Sequence, residues 1–147
     1  MKKLVLLFAI LGALCVGCSE MGGIPDDSQD APSVNRIIYY TTSNGAVISP
    51  SVTDFGGATI LSNTYENNKG AIVFDRDVTS IGEDAFEDCS SLTSVYCKAI
   101  TPPKCGSWVF YNNASGRTIY VPTESVDAYK SASGWSEYYY DIVGYDF

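Results

Sequence analysis

From Arg36 onward, apolar and polar positions come in short runs, each closed by a turn-forming cluster. Ile37 to Thr41 is rich in β-branched and aromatic residues and reads as a strand. Ser43-Asn44-Gly45 and a second apolar run, Ala46 to Ile48, follow it. Asn-Gly between such runs predicts a hairpin, because both residues accept positive φ. A second pair of runs, Thr59 to Thr64 and Ala71 to Phe74, is joined through Glu66-Asn67-Asn68-Lys69-Gly70, so the first half of the domain is expected to be antiparallel.

The next segment breaks this pattern. Between Val78 and Val95 the apolar residues fall at Ile81, Ala85, Phe86, Cys89, Leu92 and Val95, and neither a two-residue nor a 3.6-residue period fits all of them. The spacing predicts one turn of a stacked coil: a bend at Gly82, a helical turn through Ala85 and Phe86, and a short strand from Leu92 to Cys97. Its apolar residues point inward, while Glu83, Asp84, Glu87 and Asp88 face water. A degenerate second copy lies roughly 24 residues on. There Phe110 answers Phe86, Asn113 answers Cys89 and Ile119 answers Val95, while the counterparts of Gly82 and Ala85 are read as lost. Pro122 and Thr123 open a helix with Thr123 as its N-cap, Val126 and Tyr129 share one face, and Gly134 suits the stop. Trp135 and Ile142-Val143 are expected to cover the end of the last coil.

The run Ile81-Gly82-x-x-Ala85-Phe86-x-x-Cys89-x-x-Leu92-x-x-Val95 resembles the repeat of BspA-like leucine-rich-repeat proteins. Thr101-Pro102-Pro103, Ile119-Tyr120-Val121-Pro122 and Gly134-Trp135 are similar to the closing segment of such proteins, and Ile37 to Phe74 to their N-terminal cap. The resemblance implies an α/β fold: a short leucine-rich-repeat-like solenoid of one to two coils, with an N-terminal β-hairpin cap and a C-terminal helix and strand cap. It also implies an adhesion-type module that binds a protein or a glycan. Solenoids ordinarily need three or more repeats to bury a core, so the two caps are expected to do most of the burying.

The amino terminus reads as a sorting signal. Lys2 and Lys3 precede an apolar run, Leu4 to Leu14, that is too short to span a bilayer. Leu14-Cys15-Val16-Gly17-Cys18-Ser19 resembles the bacterial lipobox, in which the cysteine after a small residue is acylated; Cys15 departs from it, standing where Leu is usual. The expected division is a lipoprotein signal peptide at 1–17, a flexible tether at 18–35 and the folded domain at 36–147. Lipid on Cys18 would hold the protein at the bacterial outer membrane, displayed on the cell surface. The tether, with Gly22, Gly23, Pro25 and Pro32 among aspartates, has almost no apolar content.

Composition narrows the chemistry. The chain has 17 acidic and 9 basic residues and a net charge of −8, and removing the leader removes two lysines. Such a balance argues against nucleic acid as a partner and against electrostatic docking on anionic lipid, so membrane attachment falls to the acyl chains. There is no histidine, which excludes Ser/His and Cys/His nucleophile pairs and His-containing metal sites. The expectation is therefore no enzyme, no catalytic residue, no cofactor and no metal. Cys89 reads as a buried position of the repeat. The export route permits a Cys97–Cys105 bridge, although that spacing matches no strong framework.

Asp75 and Asp77 lie two apart, a spacing calcium ligands use, yet without a full calcium loop they read as a solvated edge. Glu83, Asp84, Glu87 and Asp88 offer paired carboxylates to a hydrolase only if one is held in a cleft. The 11 tyrosines are the more informative population, and Tyr111 with Tyr138-Tyr139-Tyr140 are the candidate ligand-binding residues. A structural component of an envelope complex, docking through Tyr138 to Phe147, is the alternative to a binding module.

Overall fold

The structure, a computed structural model, describes residues 33–147. Cys18, the leader and most of the tether lie outside the described residues. Ser33 caps a short 3₁₀ turn, Val34–Arg36, its side chain accepting from the Asn35 amide, and the Asn35 carbonyl accepts from Val78. Residues 33–35, expected to belong to the tether, are thus part of the described fold.

Over the described residues the molecule is mixed α/β, mostly sheet, with one short helix. Its strands are β1 (Ile37–Thr42), β2 (Ile60–Glu66), β3 (Lys69–Phe74), β4 (Ser80–Ile81), β5 (Leu92–Tyr96), β6 (Lys104–Cys105), β7 (Thr118–Pro122) and β8 (Ile142–Tyr145); the helix is α1 (Val126–Ser131). Six of the strands form one open sheet in the order β2-β3-β1-β5-β7-β8, and β4 pairs with β6. The β2, β3, β1 and β5 pairings are antiparallel, whereas β5, β7 and β8 run parallel. The β2–β3 hairpin turns on Asn67 and Asn68, at φ 52° and 62°, the two left-handed residues that a two-residue hairpin loop requires.

The Asn44-Gly45 hairpin does not form. Gly45 does take a positive φ, but Ala46 to Ile48 is not a strand, because both edges of β1 are already taken by β3 and β5. Those partners bring Ile72 and Val95 into the core beside Ile38 and Tyr40, and long-range burial outweighs the local turn preference.

Residues 78–97 and 102–121 lie one over the other in parallel. Ser80 faces Lys104, Ile81 faces Cys105, Val95 faces Ile119 and Tyr96 faces Tyr120. Between these strands the backbone turns rather than coiling into helix, and the amides of Asp84, Phe86 and Asp88 donate to the carbonyls of Ser107, Val109 and Tyr111. The ladder thus satisfies alternate amides of a turn that would otherwise bury them unpaired. Asp84 and Asp88 are left-handed, and so are Trp108 and Asn112 one layer on. Phe86 and Phe110 stack at 5.5 Å with planes 4° apart, and Asn113, in the place of Cys89, donates to the Phe86 carbonyl at 2.7 Å.

The same register corrects two expectations. Gly106 stands over Gly82, so the glycine is retained; a Cβ on Gly106 would lie 2.5 Å from the Glu83 nitrogen. Asp84 does not simply face water, since its Oδ1 is buried without a hydrogen-bond partner.

Aromatic rings form a spine through the core. Phe74, Phe55, Phe86, Phe110 and Trp135 follow one another at centroid spacings of 4.8, 6.1, 5.5 and 6.1 Å. Phe86, Leu92 and Val95 are all buried. Leu92 and Val95 share a face three positions apart because the β1–β5 register shifts between Thr41 and Thr42, which is why no simple period fitted them.

The carboxy-terminal segment closes one end of the spine. Trp135 and Tyr129 are fully buried, and their polar tips donate to the carbonyls of Pro103 (2.7 Å) and Ala99 (2.8 Å). Thr123 caps nothing: Pro122 precedes the 3₁₀ turn Thr123–Ser125 that leads into α1, and the Thr123 hydroxyl donates to Asp146 instead. Gly134, at φ 79°, passes so close to the Cys105 carbonyl that a Cβ would overlap it.

Candidate functional site

Alternation along the strands sends one set of side chains into the core and the other to the open face of the sheet. On β1, Ile38 and Tyr40 point inward, leaving Tyr39 and Thr41 outward; on β5 and β7 the outward residues include Tyr96 and Tyr120. Cross-strand register sets Tyr39 against Tyr96 and Tyr96 against Tyr120. Tyr145, at the end of β8, completes the row.

The rings of Tyr96, Tyr120 and Tyr145 are in contact. Tyr96 and Tyr120 stack at 4.7 Å and 17°, and Tyr145 sets its edge against both, at 5.7 and 5.4 Å. Phe147 lies 5.1 Å from Tyr145. Burial, followed by the neighbouring Tyr120 and Tyr145 phenols, pushes the Tyr96 hydroxyl above its ordinary pKa, so it remains a neutral donor.

Beside this row is an open cavity of about 450 Å³, within the size range of small-molecule sites. Tyr39, Tyr96, Tyr145 and Phe147 wall it, and Lys69, Lys98, Thr41, Asn67, Asn68 and Asp146 supply its polar groups. The hairpin turn of β2 and β3 positions the asparagines and Lys69; the residues after β5 and β8 position Lys98, Asp146 and Phe147. The Lys69 Nζ sits 3.9 Å from the centre of the Tyr39 ring.

The tyrosines singled out from the sequence lie elsewhere. Tyr138 belongs to the core: it is buried, packs edge-on against Phe110 at 5.2 Å, and its hydroxyl accepts from the Phe110 amide. It is therefore withdrawn from the surface candidates. Tyr111, Tyr139 and Tyr140 are exposed, the last at 94%. Tyr139 and Tyr140 touch each other at 5.3 Å, and Lys130 covers Tyr139, but none of the three lines the sheet-face cavity. Tyr39, Tyr96, Tyr120 and Tyr145 were missed. The available signal was the recurrence of Tyr96 and Tyr120 at the same position of the two copies.

The remaining candidates are dispersed. Asp75 binds Arg76 and the Thr59 amide, and Asp77 binds Arg36, so the two carboxylates do not converge. Arg76 first, and then the Thr59 amide, hold the Asp75 carboxyl below its usual value. Among the described residues no cluster of three or more His, Cys, Asp or Glu side chains is arranged to hold a metal ion. Glu83, Asp84, Glu87 and Asp88 do not line the sheet-face cavity.

Cys89, Cys97 and Cys105 are free thiols, so the permitted Cys97–Cys105 bridge is not formed. Burial pushes the Cys97 and Cys105 thiols up to about 12, far from the thiolate form that reacts. Cys89 is buried, with its Sγ 3.8 Å from the Ser49 carbonyl oxygen. Among the described residues no helix is long and apolar enough to cross a membrane. No protein-family model matches this chain, and a search of the curated proteins finds no match.

Proposed function

We propose that this chain is a binding module that takes a protein or glycan ligand on the open face of its sheet. The observation that carries this reading is the contiguous row Tyr39-Tyr96-Tyr120-Tyr145, drawn from four strands and bordered by a cavity. Tyrosine supplies a large contact area with little conformational entropy to lose, and here the sheet fixes its rotamers before any ligand arrives. Of the four, Tyr145 is exposed and the others are half-buried, which leaves ring area on the sheet face open to a ligand.

The underlying architecture is proposed to be a short leucine-rich-repeat-like solenoid. Support comes from the parallel layers at a 24-residue offset, from paired left-handed residues at the same place in each layer, and from Phe110 stacked on Phe86. The BspA-like resemblance and the Cys18 lipobox extend the proposal to a lipid-anchored protein of the bacterial outer membrane, surface-displayed, without enzymatic activity.

The test is ligand capture by the wild-type chain and by a Tyr96→Ser, Tyr120→Ser double variant, from extracellular glycoproteins and on immobilised glycans. Circular dichroism and thermal melting establish that the variant is folded. Capture lost in the folded variant supports the reading; capture undiminished by it would sink the sheet face as the binding surface.

A structural component of an envelope complex is the second reading, and β8 favours it: it is an edge strand, with Val143, Tyr145 and Phe147 exposed along it. A stable endogenous partner recovered from native envelopes, bound equally by the double variant, would select this reading instead.

A further inference from the structure

Lys69 and Lys98 belong to segments far apart in the chain, yet both hold their ammonium groups over one ring. Their Nζ atoms lie 3.9 and 5.3 Å from the centre of Tyr39, and Lys98 is also 5.2 Å from the Phe147 ring. Among the described residues all the ion pairs use arginine, so neither lysine is matched by a carboxylate. In a chain of net charge −8, the floor of this cavity is locally of the opposite sign. Two positive charges this near one ring, neither in an ion pair, make the cavity attractive to an anion. Cation–π contact holds the two groups near the ring in advance, which lowers the entropy lost on binding.

We infer that this cavity takes a pyranose carrying a carboxylate, a uronic or sialic acid residue of a glycan, with the carboxylate drawn toward Lys69 and Lys98. The aromatic walls, Tyr96, Tyr145 and Phe147, suit the C–H faces of a sugar ring. Asn67 and Asn68 each bring an amide that both donates and accepts, as a polyhydroxyl ligand requires and a single peptide carboxylate does not. Asp146 also borders the cavity, with Oδ1 engaged by the Thr123 hydroxyl at 2.8 Å. One acid against two lysines leaves room for a single negative charge and disfavours a densely charged anion such as a polysulfate.

This inference rests on the sheet face being the binding surface, and its test separates the two. The full-length protein is titrated with trigalacturonate and sialyllactose, with their uncharged counterparts galactotriose and lactose, and with a glutamate-containing tripeptide. At least one acidic sugar is expected to bind about tenfold more tightly than its neutral partner, a preference that added salt erodes. Lys69→Gln and Lys98→Gln should each narrow the ratio of acidic-sugar to neutral-sugar affinity toward one. Equal binding of acidic and neutral sugars, a tripeptide that matches the acidic sugar, or indifference to both lysine substitutions would overturn the inference. If no acidic sugar binds while capture still depends on Tyr96 and Tyr120, the inference fails and the sheet-face reading survives. Loss of that dependence as well fells both.

Discussion

Among the described residues Arg117 is the charged side chain most committed to the interior, 9% exposed between the rings of Phe110 and Tyr138. Burial pulls its pKa below the usual arginine value, against the opposing pull of Asp141, with which it forms an ion pair. Its fork also donates to the Phe110 carbonyl at 2.8 Å, a division of labour that a lysine ammonium would not reproduce. Glu87 is in the opposite position. Partial desolvation, followed by the nearby Asp84 and Asp88 carboxylates, raises its pKa, so the fold disfavours its charged form. The resulting penalty is present above the raised folded-state pKa and is relieved as pH falls through it. Glu87→Gln is therefore expected to raise the melting temperature at about pH 7 and to leave it unchanged at about pH 3, below the ordinary glutamate value. Equal melting temperatures at neutral pH would show that Glu87 carries no such penalty.

The layered turn makes opposite demands at two neighbouring positions. At Gly106 the chain approaches Gly82 and Glu83 so closely that a methyl group must displace backbone. Gly106→Ala is expected to cost about 1–3 kcal/mol, as overpacking does. At Trp108 a bulky residue holds φ at 53°, a conformation that costs an L-residue about 1–2 kcal/mol and that asparagine tolerates better. Trp108 is also largely exposed, so Trp108→Asn loses little burial and should stabilise by about 1 kcal/mol. Urea unfolding of both variants checks the pair, and a change of the same sign in both would contradict this account of the turn. These positions also mark how far the chain could be read unaided. The turn positions Ile81, Ala85, Phe86 and Cys89 were legible because that pattern specifies its own interior. The β2–β3 hairpin was legible because Asn67 and Asn68 specify the turn locally. Asn44-Gly45 misled because β1 takes its partners from far along the chain. Gly106 was overlooked because its glycine character matters only once Ile81 is set against Cys105. The tyrosine row was illegible for the same reason: adjacency of Tyr39, Tyr96 and Tyr120 is a property of register, whereas Tyr138-Tyr139-Tyr140 is a property of sequence that a 3₁₀ turn and its packing then split between interior and surface.

The whole molecule depends on its ends. Only two layers repeat, so the spine from Phe74 to Trp135 is completed by the hairpin at one end and by α1 and its sequel at the other. Deleting residues 123–147 removes Tyr129, Trp135 and β8, exposes Phe110 and Ile119, and leaves Arg117 without Asp141. The truncated chain is expected to lose its cooperative thermal transition; a sharp melt in calorimetry would refute that dependence. Sheet order has a mechanical corollary. The chain enters the fold along β1, which is not at the rim but clamped on both sides by antiparallel neighbours, β3 and β5. Tension between the amino-terminal entry and a ligand gripped on the sheet would load those two ladders in shear, many hydrogen bonds at once, rather than unzipping one strand from an edge. Forced rupture is governed by the unfolding barrier and not by equilibrium stability, so the resistance of β1 to pull is set by those two ladders and is not read from a melting point.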